Sequence, residues 1–311
     1  FSGDAERGIR IAEGGKATIE ASQFKGVAIG VDVEPRAEGT VAGSSFASAI
    51  AIAAKGKLTC EKIDIDTRGI GIDAGLTAAV QVKHSKFRTG GPGITGGEVK
   101  CEHVDFKKCG SALAGDQFPK IYLSQCNIED STDYGIMVGN WDREMKELTL
   151  DRCVISGSKS SGAFVTNAGS VLVKGCIFTG NLLAGLGLTL CSSSKIENSS
   201  FCNNRIEGMT LTYGKVYSVS DCEVLGNSIG VLAKSCTLFT ASRCVIGKQE
   251  TAGLSLECIF KISDVSVTES SRHGIIIGAN GGGTIENTQI TAAGSDGIHV
   301  ENKCDTPLKI I

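Results

Sequence analysis

Gly162-Ala-Phe-Val165, Gly185-Leu-Gly-Leu188, Gly208-Met-Thr-Leu211, Gly230-Val-Leu-Ala233, Gly253-Leu-Ser-Leu256, Gly274-Ile-Ile-Ile277 and Gly297-Ile-His-Val300 share one pattern. A glycine is followed by two mostly apolar residues that flank a variable one. The glycines are 23, 23, 22, 23, 21 and 23 residues apart. A fixed period in the twenties marks a solenoid, whose coils each touch only their neighbours. Weaker copies extend backwards as Gly135-Ile-Met-Val138, Gly110-Ser-Ala-Leu113, Gly93-Ile94, Gly69-Ile-Gly-Ile72, Ala49-Ile-Ala-Ile52, Gly26-Val-Ala-Ile29 and Gly8-Ile-Arg-Ile11. The repeat predicts about 13 to 14 coils of about 22 to 23 residues.

A second signature lies between the glycines, as in Ile121-Tyr-Leu-Ser-Gln-Cys-Asn-Ile128, Leu148-Thr-Leu-Asp-Arg-Cys-Val-Ile155 and Val171-Leu-Val-Lys-Gly-Cys-Ile-Phe178. It reads h-x-h, two corner residues, then small-x-h, where h is apolar. Alternation of period two describes strands, and no stretch sustains a 3.6-residue period. Each coil therefore holds three short strands. A strand that pairs with its equivalent one coil later must run parallel to it, so three stacked parallel sheets form an all-β parallel β-helix. One such domain is expected over 1–311, less regular over 1–60 and regular over 61–305. Pro307-Leu-Lys-Ile-Ile311 fits a further h-x-h strand and Phe1 the end of a small-x-h strand. Neither end carries a polar helical cap, so a longer parent chain, or ends that pair in an assembly, is expected.

These repeats resemble the right-handed parallel β-helix superfamily, with its pectate-lyase-like and carbohydrate-binding or sugar-hydrolase repeats. The resemblance spans nearly the whole chain. It implies a right-handed coil, in line with the general handedness of parallel crossovers. In the pectate-lyase-like enzymes the face corresponding to G-h-x-h carries acidic groups for calcium and a basic residue. Here its outward row is Met137, Phe164, Gly187, Thr210, Leu232, Ser255, Ile276 and His299, which is largely apolar. The corresponding h-x-h row is read as Tyr122, Thr149, Leu172, Glu197, Ser218, Thr240, Lys261 and Glu286, which is more polar.

Composition bounds the function. A net charge of −3 gives no nucleic-acid footprint, and no apolar run is long enough to span a membrane. Thirteen cysteines, an odd number without a C-x2-C pair, favour a reducing, intracellular setting over disulfides or a zinc site. Cys126, Cys153, Cys176, Cys222 and Cys244 share one repeat position with Ser22, Ser85, Ser199 and Thr288. The position reads as a packing column of small, half-polar residues. Gly91-Pro-Gly93-Ile-Thr-Gly96 and Gly226-Asn-Ser228-Ile-Gly230 match nucleotide-loop and nucleophile-elbow strings, but neither precedes a helix. His84 and His103 share a corner position with Asn198, Asp221, Asp264 and Asn287. His273 and His299 are assigned no acidic partner one coil away, although Glu257 and Glu301 lie on the same face.

Two readings of function follow. The first is a non-catalytic module that binds a protein partner through Met137, Phe164, Thr210, Leu232 and Ile276, because a contiguous apolar patch marks contact surfaces. The second is a β-helix that binds or cleaves carbohydrate near 133–144, where Tyr134 and Trp141 stand beside Asp133 and Asp142. Asp116, Asp133 and Asp142 are the weak catalytic candidates, since glycoside cleavage needs two carboxylates at a set separation. No metal or cofactor is expected.

Overall fold

The computed structural model describes residue 3, residues 5–301 and residues 307–311, so Phe1 lies outside the described residues. The described chain is a right-handed parallel β-helix of about fourteen coils, with three strands per coil and no helix. It forms two compact units, Phe1–Val154 and Ile155–Ile311.

In the first unit the inward rows are continuous. Ile9, Val31, Ile52, Ile72, Ile94, Leu113 and Ile136 stand in register in the first sheet. Ile19, Val41, Cys60, Val82, Cys101, Leu123 and Leu150 do so in the middle sheet. Phe24, Phe46, Ile65, Phe87, Phe106 and Ile128 do so in the third. The second unit repeats the plan. Its rows include Leu186, Met209, Val231, Leu254 and Ile275 in the first sheet and Phe178, Phe201, Val224, Ile246 and Val267 in the third. Apart from Ile9 these residues are buried. Each large side chain so placed contributes about 1.5–3 kcal/mol. Identical neighbours stack, as do Phe24 on Phe46 at 4.8 Å and Phe178 on Phe201 at 5.0 Å between ring centroids. The expected strand in Pro307–Ile311 is present as Leu308–Ile310 and pairs with Gly282–Glu286.

The corner between middle and third sheets needs a left-handed residue in every coil. His84, His103, Asn198, Asp221, Asp264 and Asn287 have φ between 46° and 55°. Asn, Asp and His tolerate this region better than most residues, which explains their shared position. The following cysteine column is a column of donors. The thiols of Cys126, Cys153, Cys176, Cys222 and Cys244 donate to the carbonyl two residues earlier at 3.1–3.5 Å. The hydroxyls of Ser22, Ser85, Ser199 and Thr288 make the same bond at 2.7–3.0 Å. The position thus selects a small side chain that can close off the last carbonyl of the strand. All twelve described cysteines are free, and burial raises the thiol pKa of Cys60 and Cys101.

Two expectations are corrected by the register. Four early repeat copies are framed too early, those at Ala49, Gly69 and Gly110 by two residues and that at Gly26 by four. The true equivalents of the repeat glycines there are Gly30, Ala51, Gly71 and Ala112, one residue before Val31, Ile52, Ile72 and Leu113. A slip by an even number of residues preserves which side chains face inward, so alternation alone does not detect it. The outward row of the middle sheet holds Lys195 and Thr284 where Glu197 and Glu286 were assigned, because Lys195 pairs with Leu172 and Thr284 with Lys261. Both acids lie at strand ends, two residues further on.

The outer face of the middle sheet is laced by ion pairs. Glu102 accepts Lys83 and Lys100, each at 2.8 Å, and this holds its carboxyl at about 2 instead of 4.5. A depressed carboxylate stabilises above its unfolded pKa and loses that contribution as pH falls through the folded one. The network's share should therefore be complete above pH 4.5 and gone below about 2. It is worth at most about 1 kcal/mol on so open a surface. Glu102→Gln should remove this part of the acid dependence of Tm, as measured by melting between those limits.

Candidate functional site

In the first unit, the corrected frame changes what the first sheet presents outward. The row is Arg10, Asp32, Ala53, Asp73, Thr95, Ala114 and Met137. It is polar where the later coils are apolar. Asp32 is buried and accepts the Arg7 Nε–H at 2.7 Å, so its charge is compensated within the fold. Asp73 remains exposed, and the Thr95 hydroxyl donates to its Oδ1 at 2.7 Å.

Beyond these strands the chain turns into the two insertions, and polar groups converge there. The Asn140 amide donates to Asp116 Oδ2 at 3.3 Å across one coil. The backbone N–H of Asp142 donates to Asn140 Oδ1 at 3.0 Å. Asn140 thus orients Asp116 and shapes the loop that carries Trp141 and Asp142. Trp141 is 67% exposed. Asp73, Thr95, Asp116 and Gln117 line a shallow concavity of about 230 Å³. Its floor contains Gly96 and Gly115. A side chain at Gly96, whose φ is +63°, would strike the Ala74 carbonyl. Glycine there lets the preceding coil approach while leaving the edge open.

The sequence candidates divide accordingly. Asp116 and Asp142 both meet Asn140. Asp133 does not join them: it is exposed and precedes strand Ile136–Gly139, whereas Asn140 follows it. At about 3.3 Å per residue that strand separates the two ends by well over a hydrogen bond's reach. The three carboxylates therefore do not converge on one hydrogen-bonded group. Tyr134, half-buried, also sits on the Asp133 side. Met137 is 45% exposed. In the second unit Phe164, Thr210, Leu232 and Ile276 are half-buried, and the Phe164 ring lies over Gly187. The expected apolar stripe is thus partly folded onto its own sheet and interrupted by Thr210 and Ser255.

The histidine reading is also corrected. Asp296 directly precedes Gly297 as His273 directly precedes Gly274, so it is the matching residue one coil on. Its Oδ2 lies 3.2 Å from His273 Nδ1 and 2.8 Å from His299 Nδ1. Asp73, Thr95, Asn140 and Gln117 were likewise not singled out from sequence. Asp73 was hidden by the slipped frame, Thr95 lies in the truncated copy Gly93-Ile94, and the others lie in loops without periodicity.

A larger concavity on the third sheet is lined by Asp64, Asp66, Lys86, Arg88, Asp105 and Lys107. Its charges answer one another, with Arg88 3.7 Å from Asp66 and Lys107 3.0 Å from Glu129, which is the pattern of a solvated sheet face.

Residues 94–246 match the family model described as the right handed beta helix region. Among solved structures, the chain is similar to the A-module of mannuronan C-5 epimerase AlgE4 of Azotobacter vinelandii. The identity is 11%, covering 94% of this chain and 89% of that one, with a TM-score of 0.52. The Dettilon tailspike protein matches at 10% identity over 92% of this chain and 60% of that one, with a TM-score of 0.49. The catalytic domain of a GH87 alpha-1,3-glucanase matches at 9% identity over 97% and 64%, with a TM-score of 0.43. No curated protein sequence matches the chain. The class defined is the right-handed parallel β-helix, and at these identities the likeness is one of fold.

Proposed function

We propose that the chain binds a polysaccharide along the open edge of the first sheet of its first unit. The observation that carries this reading is the Asp116–Asn140 pair, set beside an exposed Trp141 and continued one and two coils earlier by Thr95 and Asp73. Sugars offer hydroxyls to carboxylates and amides and an apolar ring face to an aromatic, and this edge presents those groups. Parallel coils repeat them about every 4.8 Å, which suits an extended, repeating ligand. The epimerase of the same fold acts on mannuronan by name, which agrees with the reading without carrying it.

Trp141 is the chain's only tryptophan, so its fluorescence reports on this edge. Titration with a panel of polysaccharides should give a saturable blue shift for at least one of them. Asp116→Ala combined with Asn140→Ala should weaken that binding by about tenfold, the loss of roughly 1.4 kcal/mol of hydrogen bonding. Phe164→Asp with Leu232→Asp should leave it unchanged. Binding that survives the first pair, or the absence of any shift, sinks the proposal. Loss of a captured protein in the second pair, with no sugar binding, would favour a protein-binding face instead.

A further inference from the structure

We propose that His273, Asp296 and His299 form a zinc site that ties together two successive coils of the second unit. His273 lies in strand His273–Ile277, His299 lies in Ile298–Val300, and Asp296 is on the turn just before the second strand. Among the described residues these are the His, Cys, Asp and Glu side chains whose ligand atoms converge, all within 4.8 Å of one another. Both imidazoles direct Nδ1 at the same Asp296 oxygen, at 3.2 and 2.8 Å.

Three observations favour a cation over a plain hydrogen-bonded trio. First, the His273 Nδ1 atom is buried, yet its approach to Asp296 does not make a hydrogen bond. A buried polar atom without a bonded partner is uncommon and calls for a ligand. Second, the rings face each other at 4.6 Å between centroids with a 35° tilt, and both Nδ1 atoms lie beside one carboxylate oxygen. Third, zinc bonds of about 2.0–2.2 Å set tetrahedral ligand atoms about 3.3 Å apart, close to the His273–Asp296 separation. Two imidazoles and one carboxylate are borderline ligands that suit zinc better than calcium or magnesium. They supply three positions and leave the fourth to solvent, since His299 and Asp296 are 41% and 49% exposed.

The test uses the full chain, stripped with chelator and titrated with zinc chloride by calorimetry. One zinc should bind per chain and raise Tm. His273→Gln with His299→Gln should weaken binding at least about tenfold and abolish the Tm rise. Asp296→Asn, at a half-exposed position that leaves packing intact, should weaken it as well. Cobalt(II) should give the visible absorption of a tetrahedral nitrogen–oxygen site in the wild type alone. The proposal is overturned if the wild type binds no zinc. It is equally overturned if all variants, shown folded by circular dichroism, bind zinc as the wild type does, which would place the metal on cysteines.

Discussion

Asn204→Ala should lower stability by about 4 kcal/mol, far more than any change on the outer faces. Asn204 is buried in a ladder of side-chain amides that climbs the second unit: Asn181, Asn204, Asn227 and Gln249. Its Oδ1 accepts the Asn181 amide at 2.9 Å and the Asn181 backbone N–H at 3.2 Å. Its Nδ2 donates to the Phe178 carbonyl and to Asn227 Oδ1, both at 3.2 Å. Truncation leaves several buried partners unsatisfied at about 1–3 kcal/mol each, only part of which water can relieve. Solenoids melt without strict two-state behaviour, so local protection is the sharper measure. Hydrogen exchange should show lost protection at the Asn181 backbone amide, whose acceptor is the Asn204 side chain, while Thr210→Ala on the outer row changes stability by no more than about 0.5 kcal/mol. Unaltered exchange at that amide would show the ladder to be dispensable.

The ladder also shows what the sequence reveals and where it stops. The glycine repeat, the three-strand template and the cysteine–serine column were legible because each follows from alternation, burial or turn conformation, which act locally. The amides recur at spacings of 23, 23 and 22 residues, at corners outside every strand. A hydrophobic pattern carries no sign of a hydrogen bond that runs along the coil axis, so nothing in it marks them out. The early frame slipped because Gly69 and Gly71 both precede an isoleucine, and inward–outward parity accepts either. That slip hid Asp73, one of the carboxylates of the candidate edge. Asn140 was missed for a different reason: its partners belong to an insertion, where no repeat position defines a neighbour. His273 and Asp296 were within reach, at a spacing of 23, but His299 joins them from three residues along the chain.

Gly208→Val should disrupt the second unit by at least about 3 kcal/mol, whereas Thr210→Val, two residues along the same strand, should be nearly neutral. Valine is the better strand former at both positions by intrinsic preference, so propensity predicts gain in each case. Packing decides otherwise at Gly208. A Cβ there would sit 2.6 Å from the Gly230 carbonyl oxygen and 2.6 Å from Val224 Cγ1. The carbonyl belongs to the backbone of the next coil and is not free to rotate away. The Asn227 amide, 3.1 Å off, would be pushed as well, so the insult spreads into the ladder. Overpacking with flexible neighbours costs about 1–3 kcal/mol, and a fixed backbone neighbour places this change at or above the top of that range. The same geometry recurs at Gly162, Gly185, Gly253 and Gly274, each facing the next coil's carbonyl at 2.5–2.8 Å. The repeat glycine is therefore kept by close approach between coils, not by turn conformation. Equal melting curves for Gly208→Val and wild type would refute that account of the repeat.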